Sequence, residues 1–130
     1  MLKVDGITKT FGITLAVGNL SFTCQEQEFL VIFGPAGAGK STTLRLVAGV
    51  NTPNRGKIYF RGEDITDVSP ESRNMSMVFE NYALYSHLTV FENLAFPLRA
   101  RKMKDVEIKN YVEKMAEILG LSGMLDRRRP

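Results

Sequence analysis

The sequence contains few of the residues that build disulfides, metal clusters or membrane spans. Cys24 is its only cysteine and His87 its only histidine among 130 residues. A disulfide within the chain is therefore excluded, and Cys24 is expected to be a small core residue rather than a nucleophile, since no histidine lies near it in sequence. No apolar run approaches the ~20 residues that span a bilayer, and no secretory signal opens the sequence. We therefore expect an intracellular protein in a reducing compartment.

Charge is unevenly distributed along the sequence. Residues 1–98 contain 8 Lys/Arg and 9 Asp/Glu, whereas residues 99–130 contain 9 and 5. The net charge of +3 thus belongs to the C-terminal part. Such a basic segment either binds nucleic acid or forms a solvated helical face. Interspersed acids such as Asp105 and Glu107 favour the helical face, and we expect no nucleic-acid partner.

The most specific motif is a glycine-rich loop followed by a lysine and a serine. Residues 34–41 read Gly-Pro-Ala-Gly-Ala-Gly-Lys-Ser, which matches the phosphate-binding pattern G-x-x-x-x-G-K-[ST]. The apolar run at residues 29–33 predicts a preceding strand that is buried on both faces. Residues 41–48 predict a following helix, which Gly49 ends. Strand, loop and helix in this order distinguish the motif from an ordinary glycine-rich turn.

This spacing predicts a site for a nucleoside triphosphate. The N–H groups of a tight loop converge on phosphate oxygens, and the N-terminus of the helix adds roughly half a positive charge. We expect Lys40 to reach the β- and γ-phosphates and the Ser41 hydroxyl to bind Mg²⁺. The predicted nucleotide-binding residues of this segment are Gly34, Pro35, Ala36, Gly37, Ala38, Gly39, Lys40, Ser41 and Thr42.

Apolar runs and turn residues predict a mixed α/β fold. Thr89 and Glu92 form a capping-box pattern at the start of a helix that Pro97 is expected to kink or shorten. A strand-rich part, residues 1–80, is followed by a helical lobe, residues 81–130. The predicted strands are residues 2–7, 20–24, 29–33, 57–60 and 75–79. The predicted stripe of a last helix is Ile108, Val112, Met115 and Leu119, with Gly120 at its end.

Residues 77–94 carry a family resemblance. They read Met-Val-Phe-Glu-Asn-Tyr-Ala-Leu-Tyr-Ser-His-Leu-Thr-Val-Phe-Glu-Asn-Leu and resemble the loop that follows the nucleotide-binding core in ATP-binding cassette (ABC) transporters. With the phosphate loop, the sequence resembles the ATPase subunit of bacterial and archaeal importers, nearest the maltose-type sugar branch. The resemblance covers essentially the whole chain. It implies a P-loop ABC ATPase core with N-terminal antiparallel strands and part of the helical subdomain.

The resemblance implies further roles for single residues. Phe11 stands where the family places an aromatic ring against adenine; the alternative is a core residue at a strand end. Glu80 stands where the family usually has glutamine, near metal and water. A carboxylate is a good Mg²⁺ ligand but adds negative charge near the triphosphate. Residues around 81–93 would contact membrane-spanning subunits. His87 lies in this loop and does not match the family's later histidine, which senses the γ-phosphate.

The family's later motifs have no counterpart in this sequence. Residues 121–124, Leu-Ser-Gly-Met, break the signature pattern at Met124, and no run of four apolar residues ends in Asp-Glu. Phosphoryl transfer needs groups that orient water and hold Mg²⁺, and the family takes them from those motifs. We therefore expect a truncated domain that binds ATP without a complete catalytic set. An unpaired edge at residues 29–33 favours self-association.

Three functions follow from these observations. The first is the N-terminal part of an importer's ATP-binding subunit, on the cytoplasmic face of the membrane, using ATP and Mg²⁺ to drive uptake of a sugar. It would pair with a second ATPase subunit. The second is a naturally short module that binds nucleotide or docks without hydrolysis. The third, a small-molecule kinase or a GTPase, leaves residues 77–94 unexplained, and the guanine-specifying Asn-Lys-x-Asp pattern is absent.

Overall fold

The computed structural model of the chain describes residues 1–80 and 82–128. It has two compact units, one from Met1 to Met77 and one that begins at Val78. Asn81, the first residue of the loop predicted to face membrane subunits, lies outside the described residues. No helix among those described is both long and apolar enough to cross a bilayer.

The first unit is built on a four-stranded antiparallel sheet with the spatial order β2-β1-β3-β4. β1 and β2 form a hairpin whose pairing extends from Leu2 opposite Cys24 to Phe11 opposite Thr14. Cys24 is half-buried rather than in the core. The strands are β1 (Leu2–Phe11), β2 (Thr14–Cys24), β3 (Arg55–Phe60) and β4 (Glu63–Asp64).

Helix α1 (Lys40–Ala48) contributes Leu46 to the core of this unit. In β1 the buried residues are Val4 and Ile7, three positions apart, because an irregularity in the pairing lies between them. An extra residue in a strand reverses the faces that follow it, so both side chains reach the same core. The core consists of Val4, Ile7, Val17, Leu46, Ile58 and Ile65.

Two of the predicted strands are wrong. Residues 29–33 and 75–79 have no strand structure, and the side chains of Phe29 and Phe33 are 91% and 96% exposed. A strand that is buried on both faces needs hydrogen-bonded neighbours along its edges. In the part of the chain that the structure describes, the sheet ends at β2 and β4, so residues 29–33 have no such neighbour.

The second unit contains α2 (Val90–Ala100) and α3 (Asp105–Ile118). The predicted capping box at α2 is confirmed. The Glu92 N–H donates to the Thr89 hydroxyl at 3.1 Å, and the Thr89 N–H donates to the Glu92 carboxylate at 2.7 Å. The sequence predicts that Pro97 kinks or shortens this helix. Pro97 does not shorten it, because α2 continues past Pro97 to Ala100, and a kink at Pro97 stays a prediction.

The packing of α3 differs from the predicted stripe. Ile108 and Val112 are buried, as predicted, but Met115 and Leu119 are 45% and 55% exposed. The next buried residue is Ala116, so the buried side chains of α3 are spaced four residues apart. They cover a narrower strip of the helix surface than the predicted stripe. The core of this unit consists of Ala95, Ile108 and Val112, against which Phe91, Leu94, Leu98, Met103 and Leu125 pack.

Candidate functional site

Glycines determine the path of the loop between residue 34 and α1. Gly37 and Gly39 have φ of +80° and +87°, a region that residues with a side chain rarely adopt. A Cβ on Gly39 would also overlap the carbonyl oxygen of Ala16 in β2. The Ala38 N–H donates to the Pro35 carbonyl at 3.2 Å, which closes a tight turn. The loop therefore approaches β2 more closely than any other residue at position 39 would allow.

Helix α1 begins directly after Gly39. Both the N–H and the hydroxyl of Thr43 donate to the Gly39 carbonyl, at 2.8 and 2.9 Å. The N–H groups before Thr43 have no carbonyl one turn earlier in the helix, and the first turn carries no acidic side chain. The positive end of α1 is therefore suited to an anion.

The Lys40 ammonium lies across the loop. Its Nζ donates to the carbonyl oxygens of Gly34 and Pro35, at 2.8 and 2.7 Å. These bonds use two of the three donors of the ammonium. They hold a positive charge beside the N-terminus of α1, where the helix itself favours negative charge.

The loop, α1 and β2 enclose a cleft of about 240 Å³. Five of the predicted binding residues line it, while Ala36 is exposed. The opposite wall is the start of β2. The sequence did not predict this wall, because strand pairing brings β2 to the cleft and no local sequence pattern indicates that placement. The lining consists of Gly37, Gly39, Lys40, Ser41 and Thr42 with Thr14, Leu15 and Ala16.

Phe11 ends β1 and pairs with Thr14, a residue of the cleft wall. Its side chain is 49% exposed, so Phe11 is not a core residue. The Nζ of Lys9 lies 5.2 Å from the centroid of the ring and donates to the Thr52 carbonyl at 2.7 Å. The ring is thus accessible, and its stacking on adenine stays a prediction.

Ser41 and Glu80, the two predicted metal ligands, belong to different units. Glu80 is exposed, and its role at the metal stays a prediction. Across residues 1–80 and 82–128, no group of three or more His, Cys, Asp or Glu side chains is arranged to hold a metal. A hydroxyl oxygen and a carboxylate oxygen are the kinds of donor that Mg²⁺ accepts, and this ion usually takes most of its ligands from phosphates and water and few from protein.

Asn93 of α2 holds the loop at residues 82–88. Its Oδ1 accepts from the Tyr85 N–H at 2.9 Å, and its Nδ2 donates to the carbonyls of Tyr85 and Leu88, at 3.1 and 3.3 Å. The Tyr85 ring lies 4.8 Å from that of Phe96. Tyr82 and Leu84 remain exposed, so the loop presents apolar side chains on an anchored backbone.

Comparison with known proteins adds a second line of evidence. The sequence model of the family described as "ABC transporter" matches residues 17–129. The trehalose/maltose import ATP-binding protein MalK of Thermococcus litoralis is 43% identical over 133 residues, covering 98% of this chain and 36% of the relative. The molybdate/tungstate import ATP-binding protein WtpC of Pyrococcus horikoshii is 44% identical over 128 residues, covering 98% and 37%. The chain thus spans little more than a third of the length of these relatives.

A solved structure also resembles the chain. It is the dimeric structure of a post-hydrolysis state of the ATP-binding cassette MJ0796 bound to ADP and Pi. The TM-score is 0.84 at 25% identity, covering 98% of this chain and 61% of that one.

Proposed function

Because the chain belongs to the ABC transporter family, we propose that it is the N-terminal portion of the ATP-binding subunit of an importer. In this proposal it binds Mg-ATP to power solute uptake. The observation that carries the proposal is the cleft at the N-terminus of α1, where Lys40, Ser41 and the glycine-rich backbone meet. A cation, a hydroxyl and N–H groups in one place suit a ligand with several phosphates.

Each group has a separate role in nucleotide binding. The loop and the first turn of α1 donate N–H groups to the phosphates, and Lys40 donates to the β- and γ-phosphates. Phe11 stacks on adenine, which contributes about 1–3 kcal/mol. Mg²⁺, when bound, neutralises negative charge on the phosphates. Ser41 and Glu80 would hold it, through a hydroxyl and a carboxylate oxygen.

The partners follow from the same proposal. Membrane-spanning subunits would contact the loop around residues 81–93, where Tyr82 and Leu84 are exposed and Asn93 holds the backbone. A second ATPase subunit would face the nucleotide. The chain would act on the cytoplasmic face of the membrane.

A sugar is the proposed solute, since residues 77–94 resemble the maltose branch. MalK is named for trehalose and maltose, whereas WtpC, at similar identity, is named for molybdate and tungstate. Measuring the uptake of labelled sugar and of molybdate by cells that lack this subunit distinguishes the two solutes. Loss of labelled sugar uptake with normal molybdate uptake supports the sugar, and the reverse result rejects it.

Equilibrium binding of a fluorescent ATP analogue with Mg²⁺ tests the nucleotide site. Lys40→Ala removes a charged donor, and we expect it to weaken binding roughly 10- to 100-fold. Lys3→Ala is the matched control, because it removes the same charge from an exposed position in the same unit. Unchanged binding by Lys40→Ala would overturn the site assignment.

Phosphate release from ATP separates this proposal from the second function. A non-hydrolysing module for nucleotide binding or docking agrees with stoichiometric binding and no release. Release at a rate that Lys40→Ala abolishes would exclude that alternative.

A further inference from the structure

Arg73 is a charged side chain buried inside the first unit, where it is 4% exposed. Its guanidinium donates to four backbone carbonyls at 2.8–2.9 Å. Two of them, Leu46 and Val47, belong to the last turn of α1. The other two, Thr66 and Val68, belong to the segment that follows β4. One side chain therefore joins the C-terminal end of the phosphate-loop helix to a separate stretch of backbone.

The bonds to Leu46 and Val47 satisfy carbonyl groups at the C-terminal end of α1. The last four carbonyls of a helix have no N–H partner within it, and a cation at that end also interacts favourably with the helix dipole. Burial lowers the pKa of Arg73, and the nearby Asp67 carboxylate raises it. Because a guanidinium stays protonated in proteins, the positive charge at the end of α1 persists at neutral pH.

Gly49 leaves the space that Arg73 occupies. Its φ is +81°, and its N–H donates to the Leu46 carbonyl at 3.2 Å. A Cβ on Gly49 would lie 2.5 Å from Nε and 2.8 Å from Cζ of Arg73. Any other residue at position 49 would therefore displace the guanidinium from the helix end.

The placement of α1 depends on contacts of this kind, because the helix has only nine residues. Helices so short are marginal in isolation, and their orientation comes from what they pack against. Gly39 and β2 contact the N-terminal end, Leu46 enters the core, and Arg73 bonds the C-terminal end. A displacement of the last turn would be transmitted along the helix to Lys40 and Ser41.

We propose that Arg73 is a positioning residue of the nucleotide site, which attaches the C-terminal end of α1 to residues 66–68 and so sets the position of Lys40 and Ser41. The inference rests on the proposed function, since it assumes that the N-terminus of α1 binds phosphate. Arg73 acts through the helix, because nine residues separate its two ends by about 12 Å.

Binding of the fluorescent ATP analogue with Mg²⁺ tests this role in the 130-residue chain, at a temperature where circular dichroism shows each variant folded. Arg73→Met removes the donors and keeps an unbranched side chain. We expect its Kd to rise about fivefold or more, the lower range of coupling between sites. Arg73→Lys keeps the charge and three donors and should recover part of the affinity. Val4→Ala, a core truncation on β1, lowers stability and should leave the Kd within about twofold.

A second pair of variants decides the question if Arg73→Met does not fold. Gly49→Ala and Gly62→Ala introduce a side chain at φ of +81° and +89°. The new Cβ meets Arg73 at position 49, whereas among the described residues it meets no atom within 4 Å at position 62. We expect weaker nucleotide binding for Gly49→Ala and unchanged binding for Gly62→Ala.

The outcomes separate this inference from the proposed function. If the unchanged chain does not bind the analogue, the proposed function fails, and the role of Arg73 fails with it. If the unchanged chain binds, Lys40→Ala does not, and folded Arg73→Met or Gly49→Ala binds normally, only the role of Arg73 is rejected. Equal weakening by Val4→Ala would likewise reject it, because the effect would then follow stability alone.

Discussion

Gly39 lies so close to Ala16 that a Cβ on Gly39 would overlap the carbonyl oxygen of Ala16. This contact joins the phosphate loop to the opposite wall of the cleft. We expect Gly39→Ala to lower the free energy of unfolding by about 2–5 kcal/mol, from roughly 1–2 for a left-handed residue with a side chain and 1–3 for overpacking. Urea denaturation of the two proteins measures the difference.

Gly37→Ala is the control for this prediction. Its φ of +80° imposes similar strain, but within the described residues a Cβ there meets no atom within 4 Å. We expect a loss of about 1–2 kcal/mol from the backbone alone. Equal losses at positions 37 and 39 would show that the approach to Ala16 contributes nothing to stability.

Phe11→Ala tests the adenine contact. If the ring stacks on the base, the loss of about 1–3 kcal/mol weakens nucleotide binding roughly 5- to 150-fold. Stacking does not read the hydrogen-bonding edge of the base, so binding of a fluorescent GTP analogue should weaken by a similar factor. Ile13→Ala removes a fully exposed apolar side chain from the adjacent turn and should change neither affinity. A fall confined to the adenine nucleotide would contradict simple stacking.

The parts of the fold that the sequence predicted correctly have local causes. The fold class, an ABC ATPase core with antiparallel N-terminal strands, is confirmed by the sheet and the comparisons. Helix α1 begins and ends beside Gly39 and Gly49, and the Thr89–Glu92 capping box forms as predicted. The helix ends and the capping box each depend on a few residues close together in the sequence, and so can be read from a single segment. The fold class instead came from the family resemblance of two segments, residues 34–41 and 77–94.

The features that the sequence did not predict depend on distant partners. Residues 29–33 have the composition of a buried strand, but a strand also needs neighbours, which no local pattern specifies. The β2 wall of the cleft reaches the loop through sheet pairing. Arg73 lies 26 positions from Val47, whose carbonyl it binds, and nothing in its neighbours along the sequence indicates that partner.

The capping box of α2 predicts a dependence on pH. The Glu92 carboxylate accepts a hydrogen bond from the Thr89 N–H and forms a second hydrogen bond with the Thr89 side chain. Both bonds lower the pKa of Glu92, and the bond to the N–H has the larger effect. Because the folded pKa lies below the unfolded value of about 4.3, the contribution to stability is fully present above that value. It is lost as pH falls through the lower folded pKa.

We therefore expect the free energy of unfolding to decrease below about pH 4.3, and to decrease less steeply in Glu92→Gln, which retains an acceptor without the charge. Unfolding of both proteins by urea between neutral pH and pH 3 measures the two slopes. Parallel curves would show that Glu92 contributes no pH dependence. The comparison removes the contributions of Asp64 and Glu71, whose pKa values are also lowered.

Glu80→Gln tests the predicted metal ligand. A carboxylate binds Mg²⁺ more strongly than a neutral amide but places an extra negative charge near the triphosphate. We expect the substitution to change the Mg²⁺ concentration that supports half-maximal nucleotide binding more than it changes metal-free binding. Glu63→Gln makes the same change of charge at an exposed residue of β4 and should match the unchanged chain. Identical metal titrations for Glu80→Gln and the unchanged chain would remove Glu80 from the site.

The exposed apolar run at residues 29–33 predicts self-association. Phe29, Val31 and Phe33 are 91%, 66% and 96% exposed, and large exposed apolar patches mark surfaces that bind other chains. We expect sedimentation velocity to give a mass that rises above 14.6 kDa with concentration.

The double substitution Phe29→Asp and Val31→Asp places two like charges in the run, and like charges on facing copies repel. We expect it to restore the mass of the single chain. Ile13→Asp adds a charge at an apolar residue that is also fully exposed but lies outside the run, so it should leave association unchanged. A monomer at every concentration, together with high thermal stability of the unchanged chain, would contradict the prediction, because the run would then be tolerated in water.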